Sequence, residues 1–250
     1  MPKPISSKHD PFEGWQPYCR RYVAVFNITS LIDYNVPVGL KKLDVFEKLI
    51  RLAEAAENIE HMHGINNNVI HGTSASGKLR FFPFYDKVIL ATIDDSSESD
   101  TVMQLAALAF YLNAFGLGLP VRGAIVNGEA IIDIEKNICV GQAFLDAISL
   151  LETQQWLGVL FHDSTQINKQ INENVRDIAD DDIPLSIYTD VPLIADNQSC
   201  TREMSVLNWP VFLGSASNAL EQLNEVKSVL GLKSTSIYYN TVRFINQQLS

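Results

Sequence analysis

Two segments constrain the fold of this chain more than any other feature. Residues 21–31 read Arg21-Tyr22-Val23-Ala24-Val25-Phe26-Asn27-Ile28-Thr29-Ser30-Leu31, an apolar run that ends in polar residues. Residues 80–90 read Arg80-Phe81-Phe82-Pro83-Phe84-Tyr85-Asp86-Lys87-Val88-Ile89-Leu90, two apolar runs broken by a turn that carries an acid. β-Branched and aromatic residues bounded by turn residues predict strands. The spacing predicts a strand over 21–29 and a hairpin over 81–93. If these strands are neighbours, Asn27 and Asp86 meet at their ends.

The pattern around them predicts the other elements. Leu43, Phe46, Leu49, Ile50, Leu52 and Ala53 fall on one stripe, so residues 39–63 predict a long amphipathic helix that stops at Gly64. Residues 65–78 read as a polar loop. Ser96-Ser97-Glu98-Ser99-Asp100 offers caps for a second helix over 100–115, which is apolar on nearly every side. Residues 121–129 predict a strand that runs into a turn at Asn127-Gly128-Glu129, with 130–134 as its partner. Residues 141–152 predict a third helix and 156–161 a short strand. The order βαββαββαβ implies an α+β fold, a mixed or antiparallel central sheet with helices on one face.

Residues 1–20 read as an irregular arm and 21–165 as the core. Residues 166–250 read as an extension packed on the same domain. That extension has a polar stretch over 168–181, a strand over 185–195, and helices over 215–231 and 236–248.

The chain has 250 residues, 46% hydrophobic and 19% charged, which suits one globular domain with a sizeable core. Its net charge of -10 argues against a nucleic-acid partner, whose backbone selects a basic stripe. The N-terminus has no apolar secretory core, and no apolar run reaches the ~18 residues of a membrane span. A cytoplasmic protein without membrane insertion is the expectation. Cys19, Cys139 and Cys200 read as buried free thiols, since three scattered cysteines make neither a disulfide framework nor a zinc site.

Three motifs look like sites and read better as structure. Gly72-Thr73-Ser74-Ala75-Ser76-Gly77-Lys78 approaches the phosphate-loop pattern. Leu79 stands where the magnesium-binding hydroxyl belongs, and a strand follows where a helix is needed. His61 and His63 sit at i and i+2, which point apart on a helix. Asp180-Asp181-Asp182 lacks the spaced ligands and glycine of a calcium loop. No Ser, Cys or His has the context of a hydrolase triad.

The Asn27 and Asp86 pair has two readings from its residues alone. Oxygen-bearing groups at a strand junction can hold a hard divalent cation against a triphosphate. Backbone amides and hydroxyls of 28–31 then face phosphate, with Lys78, Arg80, Lys87 and Arg122 nearby. Alternatively, Asn27 caps a strand and Asp86 is a turn acid.

These segments resemble the class III nucleotidyl cyclase domain, in which a strand ends in Phe-x-Asp-Ile-x-Gly-Phe and a later hairpin carries a second metal-binding aspartate. Phe26-Asn27-Ile28-Thr29-Ser30-Leu31 and Phe84-Tyr85-Asp86-Lys87-Val88-Ile89 stand at those places. Arg122-Gly123-Ala124-Ile125-Val126-Asn127-Gly128-Glu129 and Val140-Gly141-Gln142-Ala143-Phe144-Leu145-Asp146-Ala147 are most similar to the pyrimidine cyclases of Pycsar antiphage defence. The resemblance covers about residues 20–165.

The resemblance implies a ferredoxin-like βαββαβ core and a homodimer with sites at its interface. It also implies two Mn2+ or Mg2+ ions. The implied reaction converts UTP or CTP to the cyclic monophosphate plus pyrophosphate, a messenger read by a downstream effector. It makes Asn27, Ile28 and Asp86 the metal positions. Asp86, Arg80 and Arg122 become the catalytic candidates. Ile28, Thr29, Ser30, Leu31, Phe82 and Lys87 become the nucleotide-binding ones.

Three departures bear on activity. Asn27 stands where the family has its first metal aspartate, and a neutral amide binds magnesium weakly. It marks either a silenced enzyme or a natural pseudo-cyclase, a domain that binds a nucleotide or a partner without turnover. Phe82 replaces the purine-reading lysine, which narrows the base pocket toward a pyrimidine. Leu145 and Ser149 fall where the family places its asparagine and arginine, leaving Arg80 and Arg122 to hold the transition-state phosphate.

Overall fold

Strand β1 (Tyr18–Asn27) is apolar through its second half because both of its faces are covered. The computed structural model describes residues 15–28, 62–63, 69–70, 78–84, 87–133, 136, 138–165, 184–228, 230 and 235–249. Around β1 lie the hairpin β4 (Leu79–Phe84) and β5 (Lys87–Thr92), helix α1 (Ser97–Gly116) and strand β6 (Arg122–Asp133). They are followed by β7 (Ile138–Val140), α2 (Gln142–Thr153) and β8 (Gly158–Phe161). The hairpin β9 (Ser186–Ala195) and β10 (Gln198–Leu207) and helices α3 (Ala216–Lys227) and α4 (Thr235–Leu249) complete the main body. β2 (Met62–His63) and β3 (Val69–Ile70) pair only with each other.

The main sheet runs β4-β5-β1-β6-β8-β10-β9, with β7 on β6. β1 is antiparallel to both neighbours, so β5 and β6 run the same way and α1 carries the chain across β1 between them. The β6–β8 pair is parallel, and the remaining ladders are antiparallel. This is the mixed α+β sheet expected from the element order, and β4-β5-β1-β6 is the strand arrangement of a ferredoxin-like unit.

Period-2 alternation splits β1 between two cores. Tyr22, Ala24, Phe26 and Ile28 face α1 and the C-terminal helices. Val23 and Val25 face α2, against Ala143, Phe144, Ala147 and Leu151. Helices therefore cover both faces, where the sequence predicts one. α1 is buried almost all round because it lies between the sheet and the C-terminal segments, which explains its lack of a polar stripe. Its start is capped by Ser96, whose side chain accepts from the Ser99 amide. Aromatic contacts tie the C-terminal segments to this core. Phe26 meets Phe110 at 4.4 Å, Tyr111 meets Trp209 at 5.1 Å, and Trp156 meets Phe244 at 4.4 Å.

Other expectations need correction. β1 begins at Tyr18, within the segment read as an arm. Asn127-Gly128-Glu129 is not a turn. β6 runs straight through it, because β1 pairs with it continuously from Arg122 to Ile131. Its hairpin partner is β7. Gly128 serves packing instead, since a Cβ there would lie 3.3 Å from the Ala143 Cβ of α2. Met62 and His63 form β2, not the end of a helix, and the rest of 39–61 lies outside the described residues. The three cysteines are free, yet Cys200 is exposed on the β9–β10 hairpin and the other two are half-buried. No helix among the described residues is long and apolar enough to cross a membrane.

Candidate functional site

The end of β1 carries a row of three polar residues across three strands. Asn27 is directly opposite Lys87 of β5 on one side and Arg122 of β6 on the other. Paired residues share a face, and the spacing of neighbouring strands, about 4.8 Å, sets their separation. Asn27 has the parity of Val23 and Val25, so the row lies on the α2 face. Its side chain is 8% exposed, at the point where the apolar interior of the strand gives way to polar groups.

Arg122 is held from the far side. Its Nη1 donates to the Gln154 carbonyl at 2.7 Å, and Gln154, itself fully buried, donates from Nε2 to the Gly158 carbonyl at 2.9 Å. This links the start of β6, the end of α2 and the start of β8. Arg122 Nε is buried and has no hydrogen-bond partner. Burial lowers the guanidinium pKa from its ordinary value. Next along β6, Gly123 lets the strand close against Phe26, whose ring carbons would lie 2.8 Å from a Cβ.

The expected site residues divide into three groups. Asn27, Lys87 and Arg122 come together. Phe82 lies opposite Ile89, one alternation along the same face, and is almost buried in the α2-side core. Arg80 is not brought to the row. It pairs with Ala91, which is opposite Val23, four residues along and so roughly 13 Å from Asn27. Its guanidinium lies 5.6 Å from the Trp15 ring, which Arg21 covers at 4.7 Å. Burial lowers its pKa too.

Ile28 is core on the α1 face. Asp86, Thr29, Ser30 and Leu31 lie outside the described residues. Leu145 and Ser149 are exposed on α2.

The donor set bears on the two expected metal ions. Among the described residues, no three His, Cys, Asp or Glu side chains are placed to hold a metal ion. The row itself offers one neutral amide oxygen between two cationic side chains. Such an arrangement repels a divalent cation and attracts anionic oxygen. Sequence reasoning missed Gln154 and Trp15. Gln154 is 32 residues from Arg122, and no local pattern joins them.

A scan against protein-family models finds no match, and no curated protein matches the chain. Among solved structures, it is similar to the catalytic core of a rhodopsin-guanylyl cyclase with converted specificity, in complex with ATPalphaS. That likeness has 15% identity and a TM-score of 0.45, covering 76% of this chain and 96% of the other.

Proposed function

We propose that this chain binds a nucleoside triphosphate at the end of β1, in a domain organised like a nucleotidyl cyclase, with cyclisation impaired by the amide at position 27. The observation that carries the reading is the row Lys87–Asn27–Arg122 on one face of the sheet. Two cations that flank a short polar side chain suit the phosphates, and Arg122 presents a planar fork matched to phosphate oxygens. The cyclase motifs in the sequence fall on the strand ends that make this row.

The reaction of such a domain is attack of the ribose 3′-oxygen on the α-phosphorus. A new P–O bond forms, the bond to the β-phosphate bridging oxygen breaks, and pyrophosphate leaves while the 3′-hydroxyl gives up its proton. In this chain Arg122 and Lys87 would carry the charge that builds on the phosphates. Phe82, packed near the row, supports UTP or CTP over a purine. The product would act as an antiphage messenger read by an effector. Divalent ions would supply Lewis-acid charge in such chemistry. The described residues do not form their site, and no residue role assigned here depends on them.

The test compares the unaltered chain with Asn27→Asp, incubated with UTP, CTP, ATP and GTP and manganese, the cyclic nucleotides being separated by chromatography. The unaltered chain should give little product. Asn27→Asp should raise cyclic UMP or cyclic CMP formation at least about tenfold, the carboxylate being the ligand the amide cannot replace. Equal yields from ATP would remove the pyrimidine preference. Nucleotide binding without product from either protein would leave the second reading, a cyclase-like domain that signals occupancy alone, which the neutral amide favours.

We further propose a homodimer. A cross-strand row of exposed apolar side chains supports it: Tyr18, Ile131 and Val140 are 57%, 40% and 51% exposed.

A further inference from the structure

The geometry points to a site that takes the nucleotide polyphosphate as its free anion, so that binding needs no divalent cation. This rests on the nucleotide reading above and concerns what accompanies the ligand.

The argument starts from charge. A metal-bridged polyphosphate site needs carboxylates that hold the ion while phosphate oxygens complete its shell. At the end of β1 the position central to the row is an amide, with a cationic side chain opposite it on each neighbouring strand. Two positive side chains do for phosphate what two bound ions would otherwise do. They neutralise it, and at a half-buried site they are weakly screened. Chelation removes two units of negative charge from the polyphosphate. At a cationic row the chelate is therefore the poorer ligand.

Arg122 supplies the specific observation. Its Nη1 is satisfied by a neutral carbonyl, the Gln154 oxygen, and not by a carboxylate. Its Nε is buried without a hydrogen-bond partner. A buried donor left unpaired costs free energy that a phosphate oxygen would recover. The Gln154 anchor fixes the guanidinium plane before any ligand arrives, so little side-chain entropy remains to be lost on binding. The chain as a whole carries a charge of -10, so no general attraction draws anions to it. Affinity for polyphosphate must come from this local row.

The test is calorimetric titration of the full chain with UTP and with inorganic tripolyphosphate, once in EDTA and once in magnesium. Both ligands should bind in EDTA at least as tightly as in magnesium. Arg122→Gln should weaken binding in EDTA by roughly 10- to 100-fold, the worth of a charge-assisted hydrogen bond. Arg122→Lys should lose less. If Arg122→Gln does not fold, as judged by its thermal transition without ligand, Lys87→Gln reads the same charge from the other side. Asn27→Asp should reverse the pattern, weakening binding in EDTA and making it depend on metal.

Binding by the unaltered chain only when metal is present overturns the inference and leaves the nucleotide site standing. Metal-free binding that neither Arg122→Gln nor Lys87→Gln disturbs also overturns it. Failure of both ligands to bind in either buffer removes the nucleotide site and this inference together.

Discussion

Asp100 shows how one buried group sets a pH response. It sits in the first turn of α1, where a negative charge is favourable to the helix dipole. Burial dominates all the same and pushes its pKa up to about 6, against a smaller lowering by the Gln104 amide, which donates to Oδ2 at 3.1 Å. Oδ1 is buried without a partner. A carboxyl whose folded pKa lies above its unfolded value of 3.8 favours folding when protonated. That contribution is complete below 3.8 and is lost as pH rises through about 6. Asp100→Asn should therefore be the more stable protein at pH 8, by up to about 3 kcal/mol. The difference should shrink toward zero at pH 4, as followed by thermal unfolding of both proteins across that range. A constant difference at every pH would assign the effect to packing. Neither this shift nor the Arg122 anchor is legible in the sequence, where Asp100 is one acid among several in a polar segment. Asn27 is the opposite case. Its type, and the strand end it occupies, were plain from residues 21–31 alone.

At the scale of elements, the start of α2 depends on a backbone that only glycine adopts at ease. Gly141 has φ of 143°, and a Cβ there would lie 2.6 Å from the Glu129 carbonyl oxygen and 2.8 Å from the Ala130 Cα. The helix is thereby pressed against β6, and its next turn packs Ala143 on Gly128. Gly141→Ala should cost about 2–3 kcal/mol, read as a lower midpoint in urea unfolding. Gly116→Ala, at a position with nothing within 4 Å, is the control and should change stability by less than about 1 kcal/mol. The sequence placed α2 to within a residue, because Ala143, Ala147 and Leu151 recur on one helical face. It misread Asn127-Gly128 as a turn. That dipeptide does mark hairpins. Here, ten paired positions with β1 and the packing of α2 outweigh the local preference, and Gly128 is used for its small size.

At the scale of the whole molecule, the far end of the sheet remains apolar and uncovered. Tyr18, Ile131 and Val140 lie opposite one another across β1, β6 and β7, and Ile138 is 41% exposed beside them. A second copy is the proposed cover. Light scattering on the eluting protein should give twice the 27.9 kDa chain mass, and Val140→Lys should return it to a single chain. A single-chain mass for the unaltered protein at micromolar concentration would dismiss the dimer. By itself the sequence determined the element types, their order, and the α+β class with its β4-β5-β1-β6 arrangement. Those follow from hydrophobic periodicity and turn chemistry, which act over a few residues. Tertiary structure alone decided that helices cover both faces, and that Arg80 stands beside Trp15 instead of beside Asn27. It also decided that Asn27 lies between Lys87 and Arg122. Strand register is set by how whole faces pack, and a shift of one residue would turn every side chain in the strand to the other side.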